Sequence, residues 1–242
     1  VRSRRQRQMC IRDSTTPVSI AAGKTLSGAI TVTAGSIKLG ETGTLASTVT
    51  MSGGTLDADE TLNLSGALSH TADITIDVAE NKTLTYSGTA INVGANTVTL
   101  SGGGSFVSGG MTLNDEDSKL LLNSITLDSA STSANSLGLD VDANSTVTSL
   151  SVGHITPVSI KVNRTLSGSI TVTAGSIKLG ETGTLASNIT MSGGTLEADN
   201  NLTLSGGLTQ SGNIMIAVAE NKTLGYSGAA VNLGAKTLTM SG

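Results

Sequence analysis

The chain has no tryptophan, one phenylalanine (Phe106) and two tyrosines (Tyr86 and Tyr226) among 242 residues. Large rings supply much of the buried area of a conventional globular core, so that kind of core is excluded. Cysteine occurs once, at Cys10, which leaves no disulfide framework and no thiolate metal site. No apolar run approaches the ~18 residues that a membrane-spanning helix needs. Charged residues are only 13% of the chain, beside 37% hydrophobic residues. That balance, rich in Val, Ile and Leu, argues against disorder. What is abundant is small: 30 Gly, 36 Thr and 32 Ser make up about 40% of the sequence. These are mediocre to poor helix formers. The composition therefore predicts an all-β protein of many short strands and small turns.

The first fourteen residues, VRSRRQRQMCIRDS, differ from everything after them. They hold five of the 14 basic residues and the only cysteine. The string Met9-Cys10-Ile11-Arg12-Asp13-Ser14 looks like one reading frame of a transposon-based sequencing adapter, ATG TGT ATA AGA GAC AG. Residues 1–14 are accordingly read as a foreign, disordered segment and set aside, as a fusion scar would be. The rival reading is a basic arm for nucleic acid. Without the segment, the formal net charge moves from −4 to −8. A mildly acidic chain with no basic face is a poor binder of nucleic acid or anionic membrane. Avoidance of cysteine fits bacterial surface proteins.

An internal repeat dominates the rest. Residues 16–102 match residues 156–242 at a constant offset of 140, without a gap, with 61 of 87 positions identical. The stretch TVTAGSIKLGETGTLAS recurs unchanged at 31–47 and 171–187. Residues 103–155 complete a first unit, 15–155. The second, 156–242, stops at Met240-Ser241-Gly242, where the first runs on into Gly103-Gly104-Ser105-Phe106. The reading expects one continuous stack of about 1.7 units, cut from a longer tandem array.

A finer period lies inside each unit. Thr-Leu or Thr-Val pairs begin at Thr25, Thr44, Thr61, Thr83, Thr97, Thr112, Thr126, Thr146 and Thr165, spaced 14 to 22 residues apart. Stretches such as Ile74-Thr75-Ile76-Asp77-Val78 and Val98-Thr99-Leu100 alternate apolar and polar residues with period 2, the mark of strands with one buried face. Gly and Asn at Ser52-Gly53-Gly54, Glu80-Asn81-Lys82 and Ser101-Gly102-Gly103-Gly104 supply corners. A β-sandwich would close at about 100 residues and usually includes a core ring. A β-solenoid has a narrow interior suited to Val, Ile and Leu, and its coils contact only their neighbours. The prediction is a parallel β-helix (β-solenoid), right-handed as parallel crossovers overwhelmingly are. Coils of about 14–22 residues, roughly thirteen of them, make a rod of about 60 Å at ~4.8 Å per coil.

Thr83-Leu84-Thr85-Tyr86-Ser87-Gly88, followed by Gly94-Ala95-Asn96-Thr97-Val98-Thr99-Leu100-Ser101-Gly102, resembles the β-strand repeats of large bacterial surface proteins. Those include autotransporter passengers and filamentous-haemagglutinin-type adhesins. The resemblance covers essentially all of 15–242 and rests on pattern and composition. It implies a secreted right-handed parallel β-helix serving as stalk or adhesive surface, associated with the outer membrane but not inserted in it. Its implied partners are a host or environmental surface, glycans among them, and the neighbouring repeats. No functional residue of the family maps onto a numbered position.

The sequence supports no assigned site: no catalytic, cofactor-binding or metal residue is expected. A nucleophile triad needs a histidine, and only His70 and His154 exist. Gln210 stands in the second copy where His70 stands in the first, so the array does not depend on that base. His70 is read as solvent-facing and His154 as a turn residue. The acids Asp57, Asp59 and Glu60 become Glu197, Asp199 and Asn200, losing one carboxylate. Asn114-Asp115-Glu116-Asp117-Ser118 meets no calcium-loop pattern, and reads as a solvated turn with a weak Ca²⁺ contact as the alternative. The Thr-x-Thr triplets at Thr31, Thr48, Thr83, Thr97 and Thr237 are spaced too irregularly for an ice-binding threonine ladder. Threonine also suits an exposed strand face in general. Tyr86 and Tyr226 are placed at a corner. The functional expectation is a structural or adhesive segment without catalysis. The alternative is a carbohydrate-active β-helix enzyme, a polysaccharide lyase or hydrolase, whose clustered acids lie mostly outside these residues.

Overall fold

The computed structural model describes residues 9–11, 15–18, 20–40 and 43–242, with side chains from Ile20 onward in those ranges. Among the described residues there are 31 strands and no helix. Every strand pairing is parallel and joins one coil to the next. The chain is a β-solenoid.

Each coil crosses three sheets in turn, as Ser36–Leu39, Thr44–Leu45 and Thr48–Met51 do before Thr55–Ala58 starts the next. The first sheet is an unbroken ladder of twelve strands, from Thr15–Val18 to Leu238–Ser241. The second begins with Thr25–Leu26 and ends with Leu224–Tyr226. The third contains Ala29–Val32, Thr48–Met51 and Leu68–His70, then resumes at Ile91–Asn92 and Met111–Leu113. The longer strands Thr126–Thr132, Ser145–Val152 and Thr165–Val172 run from the second sheet into the third without a break.

Twelve strands make eleven steps, about 53 Å at ~4.8 Å per step. The count is below thirteen because coils are longer than the Thr-Leu spacing implied. One coil takes 19 residues between Ser36 and Thr55 and 24 between Ile74 and Val98. The pairs at Thr83, Thr97, Thr112 and Thr126 lie on the second, first, third and second sheets respectively. Their short intervals are steps between faces within a coil, not whole coils.

From Thr15–Val18 to Thr156–Ile160 is seven steps of the first sheet, so the 140-residue unit holds a whole number of coils averaging 20 residues. Strands of the second copy accordingly reappear at the same positions: Ser36–Leu39 as Ser176–Leu179, Thr55–Ala58 as Thr195–Ala198 and Ile74–Val78 as Ile214–Val218. Of residues 1–14, Met9–Ile11 is described, as a strand paired with Ile30, Thr31 and Val32. Residues 1–8 and 12–14 lie outside the described residues.

Alternation decides the interior. Val32 and Val98 are fully buried, whereas Thr33 and Thr99 are only partly covered. In-register columns of aliphatic side chains run up the axis, such as Leu56, Ile76, Leu100, Leu122, Val141 and Ile160, each fully buried. Burying each of these is worth about 1.5–3 kcal/mol. Phe106, the largest fully buried side chain, stacks on Leu84 and beneath Leu127.

Two corners show why substitutions between the copies are tolerated or refused. Gly23 has φ 69° and open space around it; its counterpart Asn163 has φ 60°. Asn is among the few residues that enter the left-handed region readily. Gly54 (φ 81°) and Gly194 (φ 77°) stay glycine, because a Cβ there would meet the carbonyl oxygen of Gly35 or Gly175 in the coil below.

Candidate functional site

Charge is arranged by face. Lys38, Lys119 and Lys178 stand on the outer side of the first sheet and pair with Asp57 and Asp59, Asp140, and Glu197 of the adjoining coil. Lys82–Glu60 and Lys161–Asp142 sit at the following turn. Exposed pairs of this kind contribute about 0–1 kcal/mol each. The triad Asp57, Asp59 and Glu60 is therefore divided between two lysines. Asp57 has its carboxyl held above the ordinary range, first by burial and then by Asp59 and Asp77, with Lys38 opposing. Lys38 is held above its usual value, chiefly by its hydrogen bond to Asp59. In the second copy Ala217 replaces Asp77, and Asn200 turns its amide to the Gly180 carbonyl.

His70 is half-buried rather than solvent-facing. It continues the inward column of Val32 and Met51 at the point where the third sheet is interrupted. One ring nitrogen lies 3.2 Å from the Ala72 carbonyl oxygen and the other 3.1 Å from that of Asn92 in the next coil. Both nitrogens face backbone, and neither meets a serine or a carboxylate. Gln210 also reaches the next coil but at another residue, its amide donating at 2.9 Å to the carbonyl of Thr237, the counterpart of Thr97. A residue able to reach across an unpaired step is what the position requires, and His and Gln both do so. The tyrosines span the same gap: the Leu68 N–H donates to the Tyr86 hydroxyl, and Leu208 N–H to that of Tyr226, each at 3.2 Å. His154 is exposed in a bend, with its carbonyl accepting from the Thr156 hydroxyl.

Asp115-Glu116-Asp117 forms a tight turn. Asp115 Oδ1 accepts the Asp117 N–H, and the buried Ser118 hydroxyl holds the turn to the Gly94 carbonyl at 2.6 Å. No group of three or more His, Cys, Asp or Glu among the described residues is placed to hold a metal ion. A shallow polar groove of about 400 Å³ follows the second sheet, lined by Thr126, Asn144, Thr146 and Ser167. Its groups are engaged with one another: Thr146 and Ser167 hydroxyls lie 2.8 Å apart, and Asn144 accepts from the Thr165 N–H.

The structure adds a feature that the triplets concealed. The Thr-x-Thr triplets at Thr31, Thr48, Thr83, Thr97 and Thr237 lie on three different sheets, which is why their spacing is irregular. On the third sheet, Thr112, Ser131, Ser151, Thr171, Thr190 and Thr209 stand in register on six successive coils. All point outward, and the last four are exposed. None of these six positions carries a charge; Asp128, on the strand Thr126–Thr132, stands where the second sheet passes into the third and accepts from Ser108 and Gly109. The signal was present as hydroxyl residues 19 or 20 apart, but two serines, Ser131 and Ser151, interrupt the threonines.

The chain matches no protein-family model, no curated protein and no solved structure.

Proposed function

We propose that the chain is a structural, adhesive segment of a large, secreted, repetitive bacterial surface protein, working as a stiff stalk. The observation that carries this reading is the 140-residue unit holding seven coils, with the first sheet running through the junction between the copies. A whole number of coils keeps every face in line from one unit to the next, so units add length without a joint. Stacking also leaves few unpaired backbone groups along the rod. The uncharged hydroxyl column supports the adhesive part. It offers one shallow donor and acceptor per coil to a glycan or another hydroxylated surface, while the lysine–carboxylate pairs are held on and beside the first sheet.

Concatemers of the 140-residue unit test the proposal by electron microscopy or small-angle scattering. Each added unit should lengthen the particle by about 34 Å, seven coils at ~4.8 Å. A fixed bend at each junction, or a maximum dimension that stops growing, would sink the stalk reading.

A further inference from the structure

Seven asparagines of the chain stand in the pattern Asn-x-Ser/Thr with x other than proline. That triplet is the acceptor signature for an N-linked sugar on an exposed segment. All seven are exposed, but the fold divides them into two kinds. Four are clamped to the next coil through the amide oxygen. Asn63 accepts from the Ser87 hydroxyl, Asn144 from the Thr165 N–H, Asn188 from the Gly207 N–H and Asn201 from the Thr223 N–H, each at 2.9 or 3.0 Å.

The other three begin the triplets Asn81-Lys82-Thr83, Asn163-Arg164-Thr165 and Asn221-Lys222-Thr223, at the corner where the first sheet passes into the second. Each is left-handed, with φ of 61°, 60° and 59° respectively. The turn is closed by the next N–H, from Lys82 to the Ala79 carbonyl, Arg164 to Lys161 and Lys222 to Ala219. Among the described residues, no hydrogen bond uses the side-chain amide of these three. Nor does the turn need that amide: Gly23, φ 69°, makes the same turn, closed by the Lys24 N–H on the Ala21 carbonyl. Thr83, Thr165 and Thr223 give their N–H groups to side chains of the coil below, and their hydroxyls enter no described hydrogen bond. The three asparagines follow the fourth, eighth and eleventh strands of the first sheet. They therefore stand along one corner, and Asn81 and Asn221 hold the same place in the two copies.

We propose that Asn81, Asn163 and Asn221 are acceptor sites for an N-linked hexose, transferred to the folded chain from a nucleoside-diphosphate hexose by an asparagine glycosyltransferase. In that step the Nδ2 nitrogen attacks the anomeric carbon of the sugar. The carbon–nitrogen bond forms and the carbon–oxygen bond to the diphosphate breaks. The electron pair leaves with the diphosphate, and a base of the transferase takes one Nδ2 proton. The amide has to turn into the transferase for this. The three turn residues do so freely, whereas the clamped four must first break a bond to the next coil. Sugars at these sites line one corner of the rod and leave the hydroxyl column of the third sheet bare. The proposal goes beyond the stalk reading and stands without it, because it uses only turns within the chain.

The test incubates the folded chain with a soluble asparagine glycosyltransferase and UDP-glucose, and maps the added hexose by peptide mass spectrometry. Hexose should appear on Asn81, Asn163 and Asn221 about tenfold faster than on the four clamped asparagines, whose hydrogen bond must open first. Thr83→Val should abolish transfer to Asn81 and leave Asn163 and Asn221 unchanged. Asn81→Gly copies the Gly23 turn, and should lose the same site with no fall in the melting temperature. The proposal is overturned if the three turn residues take no hexose or if the clamped four take it equally fast. It is also overturned if Asn81→Gly melts clearly lower, because the amide then serves the fold.

Discussion

Residues 74–101 and residues 214–241 are identical at 19 of 28 positions and hold the same principal strands, yet they end in opposite states. Leu100 is fully buried and its counterpart Met240 is 71% exposed; Tyr86 is 4% exposed and Tyr226 38%. Neither difference comes from the residues themselves, which remain apolar or identical. The first segment has a coil above it, and among the described residues none lies above the second. In a solenoid, each coil supplies half of its neighbour's interior, so a side chain's burial belongs to a pair of coils and not to one.

The largest expected effect tests that statement directly. Leu100→Ala should destabilise the fold by about 2–5 kcal/mol, because the removed atoms leave a cavity between coils. Met240→Ala should change stability by no more than about 0.5 kcal/mol, as exposed substitutions do. Urea melts of the two variants give the comparison. Equal costs would mean that burial is not set by the coil above.

Glycines sharpen it next. Gly54→Ala should cost about 1–3 kcal/mol, since φ 81° is strained for alanine and the new Cβ meets the Gly35 carbonyl. Gly23→Asn, which installs the second copy's residue in open space, should stay within about 0.5 kcal/mol. Thermal melts decide this, and a loss at Gly23→Asn matching that at Gly54→Ala would contradict the argument from backbone approach.

Asp57 offers a smaller, pH-dependent difference. Its raised pKa means that the folded chain binds this proton more tightly than the unfolded chain, so ionisation weighs against the fold as pH rises through the raised value. Asp57→Asn should therefore raise stability slightly at pH 7, by well under ~1 kcal/mol on this screened surface. The gain should vanish in acid, where the wild-type carboxyl is protonated in both states. Melts across pH 3–7 check the sign, and a loss of stability at pH 7 would make the Lys38 attraction dominant. The smallest effect belongs to His70→Gln. It exchanges one bridge across the interrupted sheet for the one the second copy uses, and should move stability by less than about 0.5 kcal/mol. A clear drop in the melting temperature would show that the imidazole does more than reach Asn92.

The candidate surface was only partly legible in advance. Thr-x-Thr counting put Thr83, Thr97 and Thr112 on one scale, although they belong to three sheets. The hydroxyl column escaped because Ser131 and Ser151 interrupt the threonines, and because nothing local tells residue 112 that residue 131 lies beside it. His70 was misplaced for a related reason. A polar residue in a strand normally faces water, but His70 ends an inward column at a step where backbone pairing fails, a break visible only between coils.

Sequence alone determined the class of fold, the inward or outward facing of side chains and the equivalence of the two copies. Period-2 alternation is imposed by the pleat of a single strand, and the offset of 140 is carried by the residues themselves. Tertiary structure decided which of three sheets each strand joins, that seven coils make a unit, and which apolar residues are covered. Those are relations between residues 19 to 24 apart. They depend on how turns of unequal length return the chain to the same face, and on whether a further coil lies above.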